Sequence, residues 1–148
     1  MPQSIYYAWA TYLLGQPAQF SVPSGNVGNL AAGVLAAQMG MPHAGFIAST
    51  NANDGLASHL RGDAFQPRPS VATLSNAMDV GDPSNLPRLQ ALFGGDMAAM
   101  RATVKGAKLD DAETMKVMKE VLDRSGYVMC PLSLIHISEP TRQIRISY

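Results

Sequence analysis

From Phe20 to Met39 the chain reads Phe-Ser-Val-Pro-Ser-Gly-Asn-Val-Gly-Asn-Leu-Ala-Ala-Gly-Val-Leu-Ala-Ala-Gln-Met. Ser24, Gly25, Asn26, Val27, Gly28 and Asn29 are the residues in it whose types and spacing suit chemistry. Glycine takes φ > 0 without a Cβ clash, and asparagine tolerates it better than most residues. A turn of this composition can aim consecutive backbone N–H groups at one point. An apolar helix from about Leu30 adds its own unpaired N–H groups and the positive end of its dipole. Together these make an anion site, most naturally for a phosphate. The Ser24 hydroxyl and the Asn26 and Asn29 amides add side-chain donors. The competing reading is a plain strand-to-helix turn that binds nothing. No Gly-Lys-Ser/Thr follows, so this is not a Walker loop, and Gly25-x-x-Gly28 lacks the later glycine of a dinucleotide fingerprint.

Two further clusters carry polar residues. Thr50-Asn-Ala-Asn-Asp-Gly55 follows a second strand, and ligands of open α/β sheets sit at strand C-terminal ends. Asn51, Asn53 and Asp54 are therefore candidates to line a site; alternatively Asn53 or Asp54 caps the next helix. In Ser70–Asn85, small polar and apolar residues mix without a clean period of 2 or 3.6. Ser75, Asn76, Ser84 and Asn85 can donate to an anionic ligand, with Asp79 orienting them. Equally, they can satisfy their own backbone through local turns.

The elements that must position these residues follow from local pattern. Ile5–Leu14 reads as a helix closed by Gly15 and Pro17, apolar nearly all round and so buried on most sides or lying on a neighbour; it is expected to pack in the core, with a helix beside a cofactor as the functional alternative. Phe20–Pro23 and Gly45–Ser49 read as short strands flanking the Leu30–Met39 helix, which implies a parallel pair with a right-handed crossover. Helices are expected at Gly55–Arg61, Arg88–Phe93 after Pro87, and Asp96 to about Lys105. Asp110 should cap a helix over Asp111–Arg124 with an apolar stripe of Met115, Met118, Val121 and Leu122, ended by Gly126. Tyr127–Pro131 reads as a strand or an extended exit.

Composition sets limits. The 148 residues suffice for one domain with a real core. Charged residues are only 15%, against a usual ~25%, which suggests a piece normally covered by more protein. Zero net charge favours neither nucleic acid nor an anionic membrane as partner. The single cysteine, Cys130, cannot form an internal disulfide and fits a reducing cytoplasm. No apolar run reaches the ~18 residues of a membrane span, and no basic leader opens the chain. His43 and His59 lack partners at metal spacing, so no metal site is expected.

Ser21–Asn29 closely resembles the cofactor-phosphate loop of the threonine synthase family. Phe46–Asp54 and Ala72–Asn85 resemble later blocks of that family, as do Gln3–Tyr7, Asp111–Met115 and Ser125–Tyr127, all in the same order. The resemblance covers about Pro2–Pro131. It implies an α/β fold: part of the three-layer αβα parallel sheet of fold type II pyridoxal-phosphate enzymes. It implies pyridoxal phosphate as cofactor, held by residues 24–29, with Asn51, Asn53, Asp54, Ser75, Asn76, Asp79, Ser84 and Asn85 near the active site. The family converts O-phosphohomoserine and water to threonine and phosphate, with the ring as electron sink. A serine/threonine dehydratase, a cysteine-synthase relative or a non-catalytic phosphate-binding module are the rival readings.

The resemblance also implies what this chain lacks. The family's Schiff-base lysine lies upstream of the matched part. Lys105, Lys108, Lys116 and Lys119 match no motif and read as surface lysines. No catalytic residue is therefore assigned within the chain, which reads as a central fragment, inactive alone, missing the remainder of its own domain as partner. Residues 1–131 are read as the partial cofactor-binding domain. Residues 132–148 depart from the family pattern and read as a non-native tail, with a native β-hairpin end as the alternative.

Overall fold

The computed structural model describes residues 2–134. Helix α1 (Ser4–Leu14) leads into strand β1 (Ala18–Pro23), helix α2 (Gly28–Gln38) and strand β2 (His43–Thr50). Helices α3 (Gly55–Arg61), α4 (Leu86–Leu92) and α5 (Met97–Thr103) follow, then strand β3 (Val104–Lys108), α6 (Asp111–Ser125) and α7 (Pro131–Leu134). The sheet has order β1-β2-β3 with both pairings parallel. The β1–α2–β2 unit is the strand–helix–strand that the turn chemistry implies.

The central strand organises the core. Phe46 and Ala48 share one large cluster with Leu30 and Val34 of α2, Leu56 and Leu60 of α3, Leu89 of α4 and Met100 of α5. Ile47, pointing the other way by strand alternation, is also buried at 2% exposure. Both faces of β2 are thus covered, as a parallel α/β sheet requires.

Two close approaches fix the helices. A Cβ at Gly33 would lie 2.7 Å from the Tyr7 ring and 2.8 Å from Phe46, so a bare glycine lets α1 sit on α2. A Cβ at Gly106 would lie 2.6 Å from the Ala57 carbonyl oxygen, so α3 lies directly on β3.

Several local expectations are corrected by tertiary contacts. Val104–Lys108 is a strand, not the end of a helix, because it pairs with the whole C-terminal half of β2. Of the two readings of Tyr127–Pro131, the strand is not formed: residues 127–130 leave α6 without regular structure, and Pro131 opens α7. In α6 the inward residues are Thr114, Val117, Met118 and Val121, while Met115 and Leu122 are 62% and 46% exposed. The Asp110 cap of α6 is present as a full capping box with Glu113. Helix α1 buries only Tyr7 and Thr11. Its Ile5, Tyr6, Trp9, Tyr12, Leu13 and Leu14 are all more than half exposed. The expected core helix is therefore covered on one side only. Most of the 132–148 tail lies outside the described residues.

Candidate anion-binding site

The loop begins where β1 stops. The Ser24 N–H donates to the Ser49 carbonyl at 2.8 Å, the last ladder bond of the β1–β2 edge. After it the N–H groups of residues 25–30 have no hydrogen-bond acceptor among the described residues. The first helical donor is Ala31, bonded to the Val27 carbonyl at 2.9 Å. Six successive donors without an acceptor therefore stand at the N-terminus of an 11-residue helix.

Val27 shapes that row. It caps α2 with φ +63°, the only non-glycine residue in the left-handed region among those described. For a β-branched residue this conformation costs about 1–2 kcal/mol. Burial of its side chain, at 2% exposure, holds it there. A left-handed residue within such a run turns successive N–H groups into a concave nest for an anion. No Asp, Glu, Lys or Arg occurs before Asp54. The loop itself therefore carries no charged side chain; the carboxylates of the segment behind it are Asp79, which accepts four hydrogen bonds there, and Asp82.

The side chains of the loop divide differently from the simplest expectation. The Ser24 hydroxyl donates to the Val22 carbonyl at 2.8 Å and is buried, so it braces the strand end and does not face a ligand. Asn26 accepts at Oδ1 from the Ser84 N–H (2.7 Å) and Ser84 Oγ (2.9 Å), and its carbonyl accepts from Asn85 Nδ2 at 2.9 Å. Ser84 and Asn85 therefore clamp the loop from behind and their donors are used there. The Asn26 Nδ2 group is the end left for a ligand. Gly25 lies so close to Met78 that an added Cβ would be 3.0 Å from its Cα. Segment 75–85 is thus the back wall of the loop.

That wall is pinned by Asp79. Its Oδ1 accepts from Thr73 Oγ1 (2.7 Å), Asn51 Nδ2 (2.8 Å) and Asn53 Nδ2 (3.1 Å), and its Oδ2 from the Thr73 N–H (3.0 Å). Asn51, 1% exposed, also reaches the buried Ser75 hydroxyl at 3.1 Å, and its Oδ1 accepts from the Asn53 N–H at 2.9 Å. Among the described residues Asp79 bonds none of Ser75, Asn76, Ser84 and Asn85, the residues that sequence reasoning has it orient; it holds Thr73, Asn51 and Asn53 instead, and Asn51, Asn53 and Ser75 spend their groups on that network. Asn76 lies exposed in a single 3-10 turn, Asn76–Met78.

Asp54 sits at the N-cap position of α3 without a side-chain cap bond. Its carboxylate instead pairs with Arg68 (3.1 Å) and Lys108 (3.2 Å). Burial pulls its pKa upward, but the hydrogen bonds and charges of Lys108 and Arg68 outweigh this and hold it below the ordinary value. Lys105 and Lys108 stand exposed on β3, and Lys116 and Lys119 exposed on α6. None of the four lysines belongs to the loop or to its wall.

Sequence reasoning missed Tyr7. Its hydroxyl donates to Asn29, reaching the backbone carbonyl at 3.2 Å and the side-chain Oδ1. Nothing local signals that contact, because 22 residues separate the partners. A cavity of 850 Å³ lies elsewhere, between the outer side of α1 and the end of α2, lined by Ile5, Ala8, Tyr12, Pro17, Met39 and Met41.

The loop, its wall and the parallel sheet can be compared with known proteins. No protein-family model matches the chain. A threonine synthase of Serratia marcescens is 41% identical over 139 residues, covering 91% of this chain and 32% of that protein. A threonine synthase of Haemophilus influenzae is 41% identical over 130 residues, covering 86% and 29%. The crystal structure of pyridoxal-phosphate-bound threonine synthase from Brucella melitensis superimposes with a TM-score of 0.85 at 30% identity, covering 98% of this chain and 37% of that one. The chain belongs to the threonine synthase family. It spans about a third of the length of the curated relatives it matches. Its small parallel sheet is the fold of the type II pyridoxal-phosphate enzymes, shared at lower identity with maize serine racemase. Among the described residues no helix is long and apolar enough to cross a membrane.

Proposed function

We propose that this chain is the phosphate-holding part of a threonine synthase, and that residues 25–29 bind the phosphate of pyridoxal phosphate while Ser24, whose N–H and hydroxyl are both spent on the strand end, braces the loop. The observation that supports this most directly is the run of six unbonded N–H groups from Gly25 to Leu30, bent by left-handed Val27 at a helix N-terminus. Such a cup suits a doubly charged phosphate and needs no cationic side chain. Gly25, Asn26, Val27, Gly28 and Asn29 offer their amides, Asn26 Nδ2 adds a side-chain donor, and Ser24 holds the strand end. Ser84 and Asn85 steady Asn26, and the Asn51–Asn53–Asp79 network, with Ser75 and Thr73, steadies the wall.

In the whole enzyme the substrate is O-phosphohomoserine and the products are threonine and phosphate, formed in the cytoplasm. The cofactor supplies an electron sink for proton shifts at the substrate carbons. The lysine that would link to it belongs to the part of the family outside this chain. Residues 1–131 carry the family part, and residues 132–148 are of separate origin. The uncharged, exposed face of α1 and the cavity beside it are covered by the remainder of the synthase, since the relatives are about three times as long.

Pyridoxine 5′-phosphate tests the loop, because it carries the phosphate but no aldehyde to react with surface lysines. Titrated into ¹⁵N-labelled chain, it should shift the amide signals of Gly25–Leu30, and pyridoxine without the phosphate should not. Unmoved loop signals at millimolar probe would overturn the assignment. The chain alone should release no phosphate from O-phosphohomoserine above the protein-free rate.

A further inference from the structure

We infer that Tyr7 is a positioning residue for the anion site: its hydroxyl fixes the Asn29 side chain so that Nδ2 faces the mouth of the loop as a donor. The inference rests on the proposed phosphate site and deepens it.

Tyr7 is 6% exposed, and its ring is wedged edge-on against Phe20 (centroids 5.0 Å apart) and Phe46 (5.9 Å). It also covers bare Gly33 of α2. The ring therefore cannot swing, and its hydroxyl is delivered to one place. That place is Asn29, the second residue of α2, whose Oδ1 and carbonyl both face the hydroxyl. An asparagine side chain carries an acceptor at one end and two donors at the other. With Oδ1 held by the tyrosine O–H, the Nδ2 end turns away from α1 and towards solvent, where Asn29 is exposed. The opposite flip would point carbonyl lone pairs at a bound phosphate, which repels them. The same hydroxyl braces the first turn of α2 through the Asn29 carbonyl, and that turn supplies the last donors of the row. Burial pushes the Tyr7 hydroxyl pKa upward, so it stays protonated and donating across the working pH range. A buried phenol on an otherwise oily helix is thereby linked to the phosphate loop.

Tyr7→Phe removes only the oxygen and keeps the aromatic wedge. We expect it to weaken pyridoxine 5′-phosphate binding roughly 3- to 10-fold, the effect of one lost hydrogen bond, in a chain that still folds. Asn29→Ala should weaken binding to a similar extent. The double variant should lose clearly less than the sum of the two single losses, because the hydroxyl acts mainly through that side chain and only its longer bond to the Asn29 carbonyl survives in Asn29→Ala. Purely structural roles would instead add. Wild-type affinity in Tyr7→Phe, or additive losses in the double variant, would overturn the inference. A wild-type chain that does not bind the probe would overturn the phosphate assignment, and with it the functional role given to Tyr7. The contact itself is read separately without ligand, in the Asn29 side-chain amide signals. They should move in Tyr7→Phe, and unchanged signals there would overturn the contact on their own.

Discussion

Replacing Asp79 by alanine should cost this chain about 2.5–4 kcal/mol, and the structure says how that figure divides. The carboxylate accepts four hydrogen bonds, from Thr73 N–H, Thr73 Oγ1, Asn51 Nδ2 and Asn53 Nδ2. Three of those donors keep a second acceptor. Asn51 retains Ser75, Asn53 retains the Val71 carbonyl, and the Thr73 hydroxyl retains Ser75 Oγ. Each exchanges a charged partner for a neutral one and loses part of its bond. The Thr73 N–H has no other partner among the described residues and is left unpaired. One charged hydrogen bond lost outright contributes about 1.5–3 kcal/mol, and the weakened ones add roughly 1 more. The unfolding midpoint should fall by roughly 5–15 °C. Asp79→Asn should restore part of the loss, because its amide oxygen can take the Oδ1 place and accept from Thr73 Oγ1, Asn51 and Asn53, while its N–H₂ opposes the Thr73 N–H. Urea unfolding followed by circular dichroism measures both variants. Either variant lying within about 0.5 kcal/mol of wild type, the range of an ordinary surface change, would refute the pinned-wall reasoning. Hydrogen exchange gives the functional side: the Ser84 N–H, bonded to Asn26 at 2.7 Å, should lose protection when the pin is removed.

Other outcomes follow from the same geometry. Gly25→Ala should leave the fold standing but weaken pyridoxine 5′-phosphate binding roughly tenfold, about 1.4 kcal/mol, because the new methyl meets the Met78 backbone at 3.0 Å; isothermal titration checks it. Gly106→Ala should destabilise by about 1–3 kcal/mol or abolish folding, since its Cβ meets the Ala57 backbone at 2.6–2.7 Å; expression and thermal melts decide. Asp54→Asn should lower stability at pH 7 by at most about 1 kcal/mol, because its partners Arg68 and Lys108 are 55% and 41% exposed. The native pKa of Asp54 lies below its unfolded value of 3.8, so that contribution is present above this value. The gap between wild type and variant should close as acidity carries the pH through the native pKa, which paired urea titrations measure.

The sequence by itself determined the β1–loop–α2–β2 unit, because each part is specified by near neighbours. Glycine and asparagine between a short apolar run and a helical run leave few other conformations, and Asp110 with Glu113 caps α6 through residues three apart. The resemblance of several ordered blocks carried the family in the same way, as a property of the letters alone. Only the tertiary structure decided β3: Val-Lys-Gly-Ala-Lys has no strand signature, and pairing with β2, more than 50 residues earlier, makes it one. Only the tertiary structure decided how the polar side chains are spent. Ser84 and Asn85 pair with Asn26 across 58 and 59 residues, and Asn51 pairs with Asp79 across 28. A hydrogen-bond donor has the same local appearance whether it will meet a ligand or a distant part of its own chain. Packing chooses between them, because a buried polar group must find whatever partner the fold brings within reach.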